Sequence, residues 1–272
     1  LTNPPTSVQT DSTPFFEDDM AGHNKWSKVK HIKAREDAKK GKVFSRFSKE
    51  ISIAARDGGG DPGMNPRLRT AIEGAKSVSM PKDNIERAIK KGTGELGGEA
   101  IEEITYEGFA PGGVAVIVEV CTDNKNRSAA DVRHIFNKRN GNMGTSGSVA
   151  YQFRRCGEIR VALGDLSEEE LLEKALEAGA NDVSADEEDH LVFTAPEDLG
   201  SVASHLRDDG LNLKSENLVY IPNADTLVTI NDPGEAAKVL RLYEALDEYD
   251  DTLNVFANFD IPDEVIEEAL SS

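Results

Sequence analysis

The sequence predicts an α+β multidomain protein, with a helical N-terminal domain followed by two α+β sandwich domains. Three observations carry this. The apolar period is helical up to about residue 98 and becomes alternating after about residue 101. Beyond that switch, strand and helix signals mix without a strict βαβ repeat. The chain of 272 residues exceeds one ordinary domain, so two or three are expected.

The opening LTNPPTSVQTDSTPFFEDD is rich in Pro, Thr, Ser and Asp and lacks the apolar core of a signal peptide. Segment 1–20 therefore reads as a disordered extension. A basic helical domain follows at 21–98. In GKVFSRFSKEISIAARDGGG, Phe44, Phe47, Ile51 and Ala54 recur at steps of three and four, one helix face, and Gly58, Gly59 and Gly60 stop it. In DPGMNPRLRTAIEGAKSVS, Asn65 suits the N-cap and Pro66 the first helical position. Leu68, Ala71, Ile72 and Ala75 form its inward side. In SMPKDNIERAIKKG, Ser79 or Met80 precedes Pro81, Ile85 and Ile89 face inward, and Gly92 closes. The linker GTGELGGEA spells GxGxxG at Gly92, Gly94 and Gly97. A dinucleotide site needs a strand before that motif, and here a helix precedes it.

EITYEGFAP and GVAVIVEVCT read as strands, the second apolar enough to be central. RSAADVRHIFNKRNG is a helix with Ala129, Val132, Ile135 and Phe136 inward and Gly141 as its stop. NMGTSGS reads as a flexible break, and VAYQFRRCGEIRVA resumes β structure. SEEELLEKALEAG opens with a capping box, Ser167 with Glu170, and ends at Gly179. HLVFTA, DLGSVASHLRDDG and NLVYIP give strand, helix, strand. PGEAAKVLRLYEALDEYDD is the last long helix, and LNVFANFDIP a closing strand. The order is ββα, then βαβαβ, then αβ. The outer pieces, 99–143 and 223–268, are expected to join as one discontinuous α+β domain. An acidic α+β domain is inserted at 144–222, and both are of ferredoxin-like kind.

Charge is segregated. The chain has a formal net charge of -19. Yet residues 20–98 hold 18 Lys and Arg against 9 Asp and Glu, whereas residues 99–272 hold 13 against 37. Fields act over about 8–10 Å in physiological salt. A basic face can therefore attract a polyanion while the acidic remainder stays soluble. Nine bases fall within 22 residues: Lys25, Lys28, Lys30, Lys33, Arg35, Lys39, Lys40, Lys42 and Arg46. His23, His31 and Trp26 lie among them. The stretch reads as a phosphate-contacting surface. Trp26 fits either packing or stacking, while Phe44 and Phe47 follow the core period. A second island at 123–160 carries eight bases against three acids. It includes Lys125, Arg127, Arg133, Lys138, Arg139, Arg154 and Arg155. It reads either as an extension of the same surface or as a partner for a neighbouring acidic face.

Other chemistry finds little support. Cys121 and Cys156 have neither disulfide nor zinc spacing. DEEDH at 186–190 and DEYDD at 247–251 lack an EF-hand layout and read as solvated turns. No HExxH, GxSxG or phosphate-binding GxxxxGK[ST] occurs, and the five histidines are scattered. No stretch approaches the roughly 20 apolar residues of a membrane span. The expectation is a cytoplasmic protein without metal, cofactor or catalytic residues.

At this point the residues carry a resemblance. MAGHNKWSKVKHIKAREDAKKGKVFSRFSKEISIAARDGGGDPGMNP, YEGFAPGGVAVIVEVCTDNKNRSAADVRHIFNKRNGNMG and NVFANFDIP resemble the YebC family over about residues 20–270. The resemblance implies a helical N-terminal domain and two α+β domains, the third inserted in the second. It implies a cytoplasmic transcriptional regulator that binds promoter DNA. It also admits a translational role, because a related mitochondrial member is described as a translational activator. Other bacterial members have been linked to stalled ribosomes. Sequence-specific duplex recognition needs a helix that sets polar side chains on base edges. The candidate here is the helix from Asn65, through Arg67 and Arg69. A lysine-rich arm with one aromatic suits ribosomal or transfer RNA backbones equally.

Overall fold

The computed structural model describes residues 39–97, 101–164, 166–186 and 189–271. The 1–20 extension and Lys25, Trp26, Lys28, Lys30, His31, Lys33 and Arg35 lie outside the described residues.

Three helices come first: α1 (Lys39–Gly58), α2 (Pro66–Ser77) and α3 (Lys82–Gly92). Ile51, Ala54, Leu68, Ile72, Ala75, Ile85 and Ala88 form their common core, with Phe44, Phe47, Ala71 and Ile89 partly buried against it. The expected inward faces are therefore the real ones. Asn65 caps α2 by accepting from the Leu68 amide at 3.0 Å. Its amide group also donates to the Ala54 and Gly59 carbonyls at 2.7 and 2.9 Å. One side chain thus closes α1 and opens α2. The start of α3 differs from expectation. Pro81 itself holds the N-cap position with no side-chain cap. Ser79 takes a left-handed φ of 63° in the preceding turn.

Two antiparallel four-stranded sheets follow, as an α+β fold requires. The first has the order β3-β1-β2-β9, where β1 is Glu102–Phe109, β2 Ala115–Thr122, β3 Asn142–Met143 and β9 Thr252–Ala257. The second has the order β5-β6-β4-β7, with β4 at Phe153–Ala162, β5 at Asp182–Ala185, β6 at Asp189–Thr194 and β7 at Leu213–Pro222. The alternation along β2 shows how the layers stack. Val116, Val118 and Val120 face helices α4 (Lys125–Lys138) and α7 (Pro233–Asp247). Ala115 and Ile117 face the second sheet, against Cys156, Leu191, Phe193, Val219 and Ile221. The outer face of that sheet is covered by α5 (Glu168–Glu177) and α6 (Leu199–Asp208) through Leu171, Ala175, Val202 and Leu206. A strand buried on both faces reads as a near-continuous apolar run, which is why β2 lacks polar alternation and departs from the run only at Glu119 and Thr122.

Several expectations are corrected. NMGTSGS is not a loose break. After β3, the amides of Gly147, Val149 and Ala150 donate to the buried Glu107 carboxylate at 2.7, 2.7 and 2.9 Å. At the end of α4, Asn140 supplies the left-handed residue at φ 60°, not Gly141. Gly141 serves close approach instead, since a Cβ there would sit 2.8 Å from Leu242 Cδ2. LNVFANFDIP is two strands. Buried Asn258 interrupts it, accepting from the Ala115 amide at 2.7 Å and donating to the Thr226 carbonyl at 2.6 Å. The continuation β10 (Phe259–Asp260) pairs in parallel with β8 (Val228–Thr229). A final helix, α8 (Asp263–Ser271), buries Ile266 and Ala269 in the first core. The capping box of α5 forms as expected.

Candidate nucleic-acid interface

The described candidates fall into two groups. Arg46, Arg67, Arg69 and Arg127 are engaged within the protein. On α1, Arg46 donates to Glu50 Oε1 at 3.1 Å and to Asn254 Oδ1 of β9 at 2.6 Å. Arg67 pairs with Asp57 at 3.1 Å. Arg69 donates to the Pro62 and Gly63 carbonyls at 3.0 and 3.2 Å, which fixes the loop before α2. Arg127, at the start of α4, donates to Asp251 at 2.8 Å and to Asp123 at 3.2 Å. In the second group, Arg133 stands exposed on α4 with no ionic partner among the described residues. Lys39, Lys40 and Lys42 lie on α1.

Arg46 and Arg127 meet at one seam. One turn beyond Arg46, Lys49 approaches Asp251 at 3.6 Å. Asp251 also accepts from Thr122 at 3.0 Å and from the Tyr249 hydroxyl at 3.2 Å. Burial would raise the Asp251 pKa. The hydrogen bonds from Arg127 and Thr122 and the charges of Lys49 and Arg127 outweigh that and hold it below the usual range. The expected solvated turn DEYDD is therefore a cross-link between α1, β2 and α4. DEEDH is corrected likewise. Asp186 and Asp189 pair with Arg160 at 3.0 and 3.7 Å, and Glu158 joins the same guanidinium at 3.0 Å. These carboxylates neutralise a half-buried arginine.

The helical unit also docks on β7. Thr70 of α2, Arg207 of α6 and Glu216 of β7 form one hydrogen-bonded triad, with Arg207 donating to Thr70 Oγ1 at 2.8 Å. Ile53, Ile101, Cys121 and Leu253 fill the gap between α1 and the first sheet. Burial pushes the Cys121 and Cys156 thiols up to about 12, so both are inert at neutral pH. Exposed Lys76, Arg87 and Lys90, on α2 and α3, have no ionic partner among the described residues. Sequence reading passed over them because single bases on amphipathic helices form no run. Among the described residues, no group of three or more His, Cys, Asp or Glu is arranged to hold a metal ion. No described helix is long and apolar enough to cross a membrane.

Two family models match. One, described as the TACO1/YebC protein N-terminal domain, spans residues 24–95. The other, the TACO1/YebC second and third domain, spans residues 101–259. The chain belongs to the TACO1/YebC family.

Relatives in this family are similar over most of their length. A protein of Akkermansia muciniphila is 57% identical over 251 residues, covering 92% of this chain and 99% of the relative. One of Aquifex aeolicus is 52% identical over 248 residues, covering 91% and 99%. Both bear the name probable transcriptional regulatory protein. The crystal structure of a conserved hypothetical protein from Aquifex aeolicus superposes with a TM-score of 0.79 at 52% identity. That match covers 88% of this chain and 98% of the other. The family's N-terminal model takes in the whole lysine-rich stretch from Lys25 to Arg46.

Proposed function

We propose that this chain is a nucleic-acid-binding regulator of gene expression, a DNA-binding transcriptional regulator of the cytoplasm that works through its basic N-terminal domain and catalyses no reaction. The observation that carries this is the segregation of charge. Nine bases crowd into 22 residues of a chain whose net charge is -19. The names of the relatives support the regulatory part. Contact with six phosphates would give a log–log salt slope of roughly -4 to -5.

A second reading, an RNA- or ribosome-associated translation factor, is favoured by a specific observation. Arg67 and Arg69, the only bases at the start of α2, are held by Asp57 and by the Pro62 and Gly63 carbonyls. A duplex-reading helix needs such side chains free to reach base edges. Phosphate contact by lysines has no such requirement.

The test uses the intact chain and its Lys28→Glu/Lys30→Glu/Lys33→Glu variant. Both are sedimented in lysate on sucrose gradients, with nuclease-treated controls, and titrated onto promoter duplexes. The transcriptional reading expects a promoter preference of about a thousandfold over scrambled duplex, lost in the variant. Co-migration with ribosomes, lost in the variant, establishes the translational reading instead. Wild-type binding to neither would overturn both.

A further inference from the structure

The acidic part of the molecule hides a second basic surface. Residues 99–272 contain 13 Lys and Arg. Five of these are ion-paired: Arg127, Arg160, Lys174, Arg207 and Lys214. Arg155 lies over the Tyr220 ring at 5.7 Å, and Arg154 has partners of its own. Six remain: Lys125, Arg133, Lys138, Arg139, Lys238 and Arg241. All six are exposed and have no ionic partner among the described residues. All six belong to α4, its C-cap or α7. In a segment with 37 acids, a random scatter of bases would find carboxylates. Here those left unpaired share one helical layer.

The fold brings the two helices together. They run antiparallel on the outer face of the first sheet. At one end the Tyr249 hydroxyl donates to Asp131 at 3.1 Å. At the other, Leu242 lies against Gly141. Arg241 therefore sits beside the end of α4 that carries Lys138 and Arg139, and Lys238 lies one turn further on. Their buried neighbours Val239, Leu240 and Leu242 face the core, which leaves Lys238 and Arg241 on the outer side. Arg133 and Arg139 are separated by about 9 Å of helix rise, a span of two to three phosphates at about 3.4 Å per nucleotide of one strand. The helix dipole accounts for bases at the end of α4, but not for Arg133 or for the two on α7. The acids on this layer are Asp131, held by Tyr249, those of α7, and those of α8, which packs beside α7 and carries exposed Asp263, Glu264, Glu267 and Glu268. On α7, Glu235 lies one turn before Lys238 and Glu244 one turn after Arg241.

We infer that the outer layer formed by α4 and α7 is a second contact surface for a nucleic-acid phosphate backbone, separate from the lysine-rich N-terminal stretch. The ligand chemistry is the phosphodiester chain, from DNA or RNA. This rests on the nucleic-acid reading above. The acidic second sheet and its helices lie on the opposite face of the first sheet, turned away from this layer.

The full-length protein, the variant Arg133→Glu/Lys138→Glu/Arg139→Glu and the variant Lys238→Glu/Arg241→Glu are titrated with a DNA duplex and with an RNA hairpin. Salt runs from about 50 to 200 mM. The triple Lys28, Lys30, Lys33 variant is run beside them. Each patch variant is expected to bind at least tenfold more weakly, with a salt slope shallower by about two. The probe that shows the loss identifies the source of the backbone. Thermal unfolding verifies the fold, and Gln replacements at the same positions serve if the Glu variants unfold. Unchanged affinity and slope in the patch variants, with loss in the N-terminal variant, would sink this inference and leave the proposed function standing. Failure of the wild-type protein to bind either probe would sink both.

Discussion

Glu107 is 6% exposed, and its carboxylate accepts from three loop amides. Burial would raise its pKa, but the amides of Gly147, Val149 and Ala150 outweigh that and hold it below the ordinary value. A depressed folded pKa means stability that is present above the unfolded value, about 4.3, and lost as pH falls through the folded one. Glu107→Gln keeps the shape but offers one acceptor oxygen instead of two, so at least one amide is orphaned. The expected cost is about 1–3 kcal/mol, read by urea unfolding. Hydrogen exchange at Gly147, Val149 and Ala150 should rise at neutral pH, and the acid sensitivity of the wild type should diminish. The Gly- and Ser-rich composition of this loop points to mobility. What orders it is a carboxylate forty residues earlier in the chain, beyond the reach of any local reading. The partners of Arg46 and Arg127 lie beyond local reading for the same reason. Their residue type and local run are right for phosphate, but Asn254 and Asp251 arrive from more than a hundred residues away.

Helices were the most legible elements. Asn65 with Pro66, and Ser167 with Glu170, are local chemistry, so the α2 and α5 caps follow from neighbours in sequence. Short strands were the least legible. β5 has four residues and β3, β8 and β10 two each. So few residues show no period, and only the partner strand makes them strands. The closing helix α8 was missed because DEVIEEALS offers little more than Val265, Ile266 and Ala269 as an apolar face. Gly92 belongs at this scale. The helix does end at Gly92, but the left-handed residue that stops it is Gly94 at φ 81°, and the structure gives Gly92 a different task. A Cβ there would lie 2.2 Å from the Ser52 carbonyl oxygen. The close approach also lets the Ser52 hydroxyl donate to the Ala88 carbonyl at 2.8 Å. Gly92→Ala should push α3 off α1 and destabilise the protein by roughly 1–3 kcal/mol. Denaturant unfolding checks this, with faster exchange expected in α3 before the sheets.

At the scale of the whole molecule, Asp251 ties the helical unit to the rest. It takes Lys49 from α1, Thr122 from β2 and Arg127 from α4. Asp251→Asn should leave each core intact and weaken the junction, with a cost of about 1–3 kcal/mol. Because the folded pKa is depressed, that contribution is present above the unfolded pKa of about 3.9 and fades at lower pH. The gap between wild type and variant should therefore close as pH falls from neutrality toward 3. A constant gap in urea titrations across that range would contradict the assignment.

The sequence by itself determined the helical start, the α+β remainder, the inward faces of the long helices, the N-caps of α2 and α5 and the segregation of charge. Each rests on neighbours within a few turns or on counting. Only the tertiary structure decided that the two sheets lie face to face. It alone decided that Glu107, Asn258 and Asp251 order distant segments, and that six of thirteen C-terminal bases are left without an ionic partner among the described residues and gathered on one layer. Pairing and burial depend on which surfaces meet, and residues far apart in the chain settle that.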